Sequence, residues 1–140
     1  MDWEERLGEG GRRITKPRRV VMRILQQASR PLSPREIYTR GRRIHRSLGL
    51  VSVYRSLQVL EEIGLVRRVH QTERCDGYVL ASPGHYHLLI CRRCERAVEF
   101  PGSEDLSAWV SQIERRTGFR VEDHLLQLTG LCAPCQRAAP

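Results

Sequence analysis

Residues 91–94 read Cys91-Arg92-Arg93-Cys94, and residues 132–135 read Cys132-Ala133-Pro134-Cys135. In each pair the two-residue gap lets both thiolates of one tight turn face the same point. Together the pairs offer four sulfur ligands, the number that a closed tetrahedral zinc site takes. Residues 95–131 lie between them. That is too long for one compact finger, so a shared ion would tie distant segments together. The competing reading is a redox or disulfide role for one pair. A dithiol enzyme of the thioredoxin kind needs a strand leading into a helix with the pair at its start, a context that is lacking here.

The chain has 140 residues and a mass of 16.2 kDa, which suits one large domain or two small ones. No stretch approaches the roughly 18 apolar residues of a membrane span. The first residues, MDWEERLGEGGRR, lack the apolar core of a signal peptide. The expected location is therefore the cytoplasm, where reduced thiols favour metal over disulfide. Cys75 is left over. The net charge is +8. Arginines dominate the first half, at 12, 13, 18, 19, 40, 42, 43, 46, 67 and 68. The second half is more balanced and carries most of the metal-type ligands. This asymmetry points to a polyanion-binding N-terminal part and a metal-binding C-terminal part.

Along the chain, residues 1–14 are polar and glycine-containing and read as a flexible tail. Thr15 can cap a helix starting near Pro17, with Val20, Val21, Ile24 and Leu25 on one face. Arg30-Pro31 ends it. Ser33-Pro34-Arg35-Glu36 is a capping box that starts a second helix. Gly49 precedes a third, from about Leu50 to Ile63, with Val53, Leu57 and Leu60 as its core stripe. Leu65–His70 and Tyr78–Ala81 read as strands, with Asp76-Gly77 as a turn signal. Three helices followed by a hairpin give the order of a winged helix-turn-helix over residues 15–81. Ser82-Pro83-Gly84 reads as a hinge.

Residues 85–140 form a second, small α/β unit. It contains strands at His85–Cys91 and Ala97–Phe100, and a helix from Ser103 to about Thr117. Leu106, Trp109, Val110 and Ile113 are that helix's expected buried face. A final strand within Phe119–Leu131 runs into the second cysteine turn. A unit of this size buries too little apolar surface to be secure alone, so bound zinc and dimerisation are expected to support it. The fold class is α+β.

Four passages resemble the ferric uptake regulator (Fur) family of metal-responsive repressors. They are Leu32-Ser33-Pro34-Arg35-Glu36-Ile37-Tyr38, Ser52-Val53-Tyr54-Arg55-Ser56-Leu57, His85-Tyr86-His87-Leu88-Leu89-Ile90-Cys91-Arg92-Arg93-Cys94, and His124 to Cys135. The resemblance runs from about Thr15 to Gln136. It implies a homodimer that binds double-stranded DNA at an inverted-repeat operator and represses genes of zinc or iron homeostasis. It also implies that Tyr54 and Arg55 touch DNA. Ser52 stands where the family usually has threonine, and either hydroxyl can hold a phosphate. Arg18 and Arg19 are expected on the DNA backbone.

Four cysteines are thus assigned to structural zinc. His85 and His87 lie two apart on a strand and leave the same face. With His124 they can form a second site for Zn²⁺ or Fe²⁺, and Glu104 or Asp105 can supply an acidic fourth ligand. The positions that serve the family's usual regulatory site near the hinge hold Tyr86 and Leu88 instead, and Pro31 stands where many iron-sensing members have histidine. A hinge site of His70, Cys75 and Glu99 is a further candidate, whose thiolate would favour zinc. A one-residue shift of the strand would instead match the peroxide-sensing branch, with Glu99 as acidic partner. A third reading is a metal-independent DNA-binding protein whose zinc is purely structural.

Overall fold

The structure, a computed structural model, describes residues 2–71 and 75–138. The N-terminal unit comprises helices α1 (Trp3–Glu9), α2 (Lys16–Gln27), α3 (Pro34–Ile44) and α4 (Leu50–Glu62), then strands β1 (Val66–Val69) and β2 (Gly77–Leu80). The C-terminal unit comprises β3 (Tyr86–Cys91), β4 (Ala97–Pro101), α5 (Ser107–Thr117), β5 (Gln127–Gly130) and α6 (Ala133–Arg137).

Local chemistry explains the helix starts. The Thr15 hydroxyl accepts the Arg18 N–H, and Pro17 sits in the first turn of α2. At α3 the exchange is reciprocal: Ser33 Oγ accepts the Glu36 N–H at 3.2 Å, and Glu36 accepts the Ser33 N–H at 2.9 Å. Val20, Val21, Ile24 and Leu25 pack with Leu32, Ile37, Val53, Leu57 and Leu60 into one core. Each fully buried side chain of this kind contributes about 1.5–3 kcal/mol.

Strands β1 and β2 pair antiparallel, Val66 with Leu80 through Val69 with Gly77. A bridge from Leu32 to Tyr78 adds a third chain to this wing. Gly77 opens β2 and is not part of a tight turn. A Cβ there would lie 2.6 Å from Pro31 Cβ, so the close approach of the Pro31-Leu32 backbone is what calls for glycine. Part of the intervening loop, residues 72–74, lies outside the described residues.

The first fourteen residues differ from the expected tail. Trp3–Glu9 is helical, and Asp2 with Glu5 forms a capping box. Leu7 is fully buried in the N-terminal core, and the Arg6 guanidinium donates to the Gly64 carbonyl at 3.1 Å. Trp3, one turn before Leu7, packs against the same core, so two apolar side chains dock this short helix.

In the C-terminal unit β3 lies between β4, antiparallel, and β5, parallel. The last strand is short: β5 covers only Gln127–Gly130, and Cys132 then caps the short helix α6. Helix α5 starts at Ser107, four residues after the expected cap. Asp105 Oδ1 accepts the Ser107 N–H at 3.0 Å, while Ser103 takes no part. No residue of α5 is buried within the chain, and Trp109 is 53% exposed. Helical periodicity shows which residues share a face but not what covers it.

Candidate metal centres and nucleic-acid interface

The first cysteine turn follows β3. The Glu95 N–H donates to the Cys91 carbonyl at 2.9 Å, and Glu95 takes a left-handed φ of 65°, which turns the chain sharply back. The Arg92 N–H reaches the Gly130 carbonyl at 2.9 Å and draws the end of β5 alongside. Cys132 then sits at the N-cap of α6 with Cys135 three residues on, one helical turn along the same face. The four sulfurs lie within 4.8 Å of one another. Cys94 Sγ and Cys132 Sγ are 3.7 Å apart. A tetrahedral shell with Zn–S bonds of about 2.3 Å has edges of about 3.8 Å, so the donor set fits zinc.

Electrostatics agree with this. The Cys132 N–H donates to Cys91 Sγ at 3.4 Å, and this bond and the Cys94 N–H lower the Cys91 thiol to about 5. The neighbouring Cys132 sulfur and burial push Cys135 up to about 12. One thiolate is thus stabilised by backbone N–H groups, and full deprotonation of its neighbour calls for a cation.

The second group lies at the other end of β3, around its first residues. His85, His87, Glu104 and His124 have ligand atoms within 4.8 Å of one another. His85 Nε2 is 3.1 Å from His124 Nε2, His124 Nε2 is 2.9 Å from Glu104 Oε1, and His85 Nε2 is 3.6 Å from Glu104 Oε1. His87 is fully buried and hydrogen-bonds Glu104 through Nε2. Bonds of about 2.0–2.1 Å from a tetrahedral Zn²⁺ to nitrogen or oxygen imply edges of about 3.3 Å, within the spread of these separations. Hydrogen bonds from His124 and His87 hold the Glu104 carboxyl down at about 2, so it is present as an anion. The Leu126 N–H donates to His87 Nδ1 at 3.1 Å and orients the ring. Gly102 forms one wall: a Cβ there would lie 2.1 Å from His85 Cδ2 and 2.8 Å from His87 Nε2. Gly102 was not singled out from the sequence, although a glycine directly after Pro101 at a strand end was the available signal.

Among the described residues these two groups are the sets of His, Cys, Asp or Glu gathered closely enough to hold an ion. Glu104 joins the histidines, whereas Asp105 turns back to the start of α5. The hinge set of His70, Cys75 and Glu99 is not brought together. His70 Nδ1 lies 3.2 Å from Asp76 Oδ1, and Cys75 is exposed. Glu99 pairs with Arg67 at 3.4 Å and accepts the Ser82 N–H. The shifted register does not occur either. β3 pairs without a bulge, Leu88 opposite Glu99, which places Glu99 on the face opposite His85 and His87.

On α4, Val53, Leu57 and Leu60 face the core, while Val51, Tyr54, Arg55 and Gln58 form the outer stripe. Tyr54 is half exposed, and Ser52 lies half-buried near the helix start. Arg18 donates to the Arg13 carbonyl, and Arg19 meets Glu4 of α1 at 3.1 Å. Both arginines at the start of α2 are thus engaged by the N-terminal segment.

Residues 9–129 match the ferric uptake regulator family. The chain is 32% identical over 137 residues to the ferric uptake regulation protein of Legionella pneumophila, covering 97% of this chain and 100% of that one. It is 29% identical over 130 residues to the zinc uptake regulation protein of Mycobacterium tuberculosis, covering 93% and 99%. Its fold is similar to a zinc uptake regulator solved with zinc and DNA, at 26% identity and a TM-score of 0.79, over 96% of this chain and 91% of that one. With a winged helix-turn-helix, a sheet-based second unit and a four-cysteine cluster in the family's order, the chain belongs to the ferric uptake regulator family.

Proposed function

We propose that the protein is a cytoplasmic, homodimeric, metal-dependent transcriptional repressor that binds an inverted-repeat operator. Members of its family are metal-responsive DNA-binding transcriptional regulators and not enzymes. Among the described residues no helix is long and apolar enough to cross a membrane. The observation that carries the reading is the convergence of His85, His87, Glu104 and His124 on one point, separate from the four cysteines. Cys91, Cys94, Cys132 and Cys135 would hold structural zinc. The histidine–glutamate set would hold the sensed divalent ion, Zn²⁺ or Fe²⁺, which supplies positive charge that Glu104 and three imidazoles share.

The second set lies wholly in the C-terminal unit, where its ligands come from β3 and the residue just before it, the segment before α5 and the segment before β5. When His87 ligates through Nε2 its ring proton resides on Nδ1, and the Leu126 amide then loses its acceptor. The Leu126 carbonyl receives the Leu88 N–H at 3.0 Å, so occupancy is coupled to the start of β5. Leu89, Val98 and Leu128 are paired neighbours across the sheet, and all three are exposed. This apolar row and the uncovered face of α5 support a second copy as the covering surface.

The reading is tested with protein that keeps zinc on its cysteines but is stripped of other metal. A duplex enriched from a random library is titrated with and without Zn²⁺, Fe²⁺ or Mn²⁺. Tightening of roughly 100-fold with one of them, about 2.7 kcal/mol, supports the switch. Equal affinity across all of them contradicts it.

A further inference from the structure

One row of residues across the C-terminal sheet meets the wing. Gln127 on β5, Leu88 on β3 and Glu99 on β4 are directly paired neighbours and share a face. Each engages the wing strand β1 or the residue just after it. Gln127 makes a reciprocal pair with the His70 backbone: its Oε1 accepts the His70 N–H at 3.0 Å, and its Nε2 donates to the His70 carbonyl at 2.6 Å. Leu88 packs in one cluster with Val69, which is fully buried, and with Ile90, Val79 and Ala97. Glu99 faces the Arg67 guanidinium, whose Nη1 also donates to the Tyr86 carbonyl at 3.1 Å. The Glu99 carboxylate further accepts the Ser82 N–H at 3.1 and 3.2 Å, which fastens the connector between the units.

We propose that Arg67 is a positioning residue that pins the DNA-reading unit onto the C-terminal sheet through Glu99 and Tyr86, as a built-in cation that makes this joint independent of metal. Three features carry it. The pair is mostly buried, with side-chain exposures of 20% and 18%, so removal of one partner leaves the other charge poorly solvated. Glu99 is shared by the wing, the connector and β4, so the one contact fixes three segments. The apolar and amide contacts beside it are equally made of the chain's own groups. Metal at the histidine–glutamate site, on the opposite face of β3, then acts on the C-terminal unit and its partner copy, not on the angle between the two units. That consequence rests on the functional reading above; the joint itself does not.

The test uses the full-length dimer with zinc on its cysteines and no other metal, in the absence of DNA. Amide residual dipolar couplings are fitted for each unit separately and for both together, before and after addition of Zn²⁺. For the unaltered chain one alignment tensor should fit both units before Zn²⁺ is added. In Arg67→Ala and in Glu99→Gln each unit should still fit its own tensor while the common fit is lost, and Zn²⁺ should not restore it. Two variants are read so that one that fails to fold leaves the other to decide. Separate tensors in the unaltered chain until Zn²⁺ is added would overturn the proposal, as would a common tensor retained in a folded variant. A failure to bind DNA would remove the functional reading and leave this result standing.

Discussion

Cys94 Sγ and Cys132 Sγ lie 3.7 Å apart although 38 positions separate them in the chain. The parallel pairing of β3 with β5, the Arg92–Gly130 hydrogen bond, the Cys132 N–H to Cys91 Sγ bond and the donation from Arg93 to the Cys135 carbonyl at 3.3 Å bring the two turns together, and they leave four sulfurs crowded at one point. A shared Zn²⁺ contributes on the order of 10 kcal/mol to such a unit. Purified reduced protein should therefore carry zinc that resists mild chelation. Cys94→Ser and Cys132→Ser should lose that zinc together with the dimer, as read by elemental analysis and sedimentation. A folded dimer in either zinc-free variant would rule out the structural role.

The second site gives a sharper prediction because one of its walls is not a ligand. Glu104→Gln removes an anionic donor, and Gly102→Ala leaves every donor in place but drives a Cβ into the His85 and His87 rings. Both should weaken second-site metal binding by about 10- to 100-fold, the range seen when the groups that orient metal ligands are altered. Competition with a chromophoric chelator measures it. Asp105→Asn, at a residue whose carboxylate serves the α5 start, should leave the affinity unchanged.

Tyr54 and Arg55 are exposed next to each other on α4, whose opposite face is committed to the core. If they read DNA, Tyr54→Ala and Arg55→Ala should each cost about 1–3 kcal/mol of binding to the preferred duplex, with less effect on an unrelated one. Affinity should also fall steeply with salt. Anisotropy titrations at several salt concentrations separate the two effects. Arg19→Ala should cost little, because Glu4 already engages that guanidinium.

The start of α3 carries a pH signature. The Arg30 hydrogen bond at 2.7 Å, with the Ser33 N–H behind it, holds the Glu36 carboxyl below its ordinary value. A group lowered on folding stabilises fully above its unfolded pKa and loses that contribution as pH falls through the folded one. The stability of the N-terminal unit should therefore decline below about pH 4.3, the free glutamate value, and Glu36→Gln should flatten that limb. Ser33→Ala should cost about 1 kcal/mol at neutral pH, measured by urea unfolding.

What could be read in advance follows from the range of the forces involved. The α2 and α3 starts were legible because Thr15, Ser33 and Glu36 act within one turn of chain. The two cysteine pairs were legible because their geometry is set by a two-residue gap. The two-residue spacing of His85 and His87 in an extended stretch puts both on one face, which strand alternation makes legible. Glu104 could not be separated from Asp105, because adjacent residues in an irregular segment have no period to assign their faces. Helix α1 went unread because its apolar anchors are only two, Trp3 and Leu7, too few to stand out as a helical period in a polar stretch. The pairing of Arg67 with Glu99 joins residues 32 positions apart and depends on how two units dock, which no local pattern encodes.

The measurement closest to the central claim is anomalous diffraction at the zinc edge from crystals of the full chain soaked in Zn²⁺. Two peaks per chain are expected, one amid Cys91, Cys94, Cys132 and Cys135 and one amid His85, His87, Glu104 and His124. A single peak at the cysteines, or a second one beside His70, Cys75 and Glu99, would contradict the account.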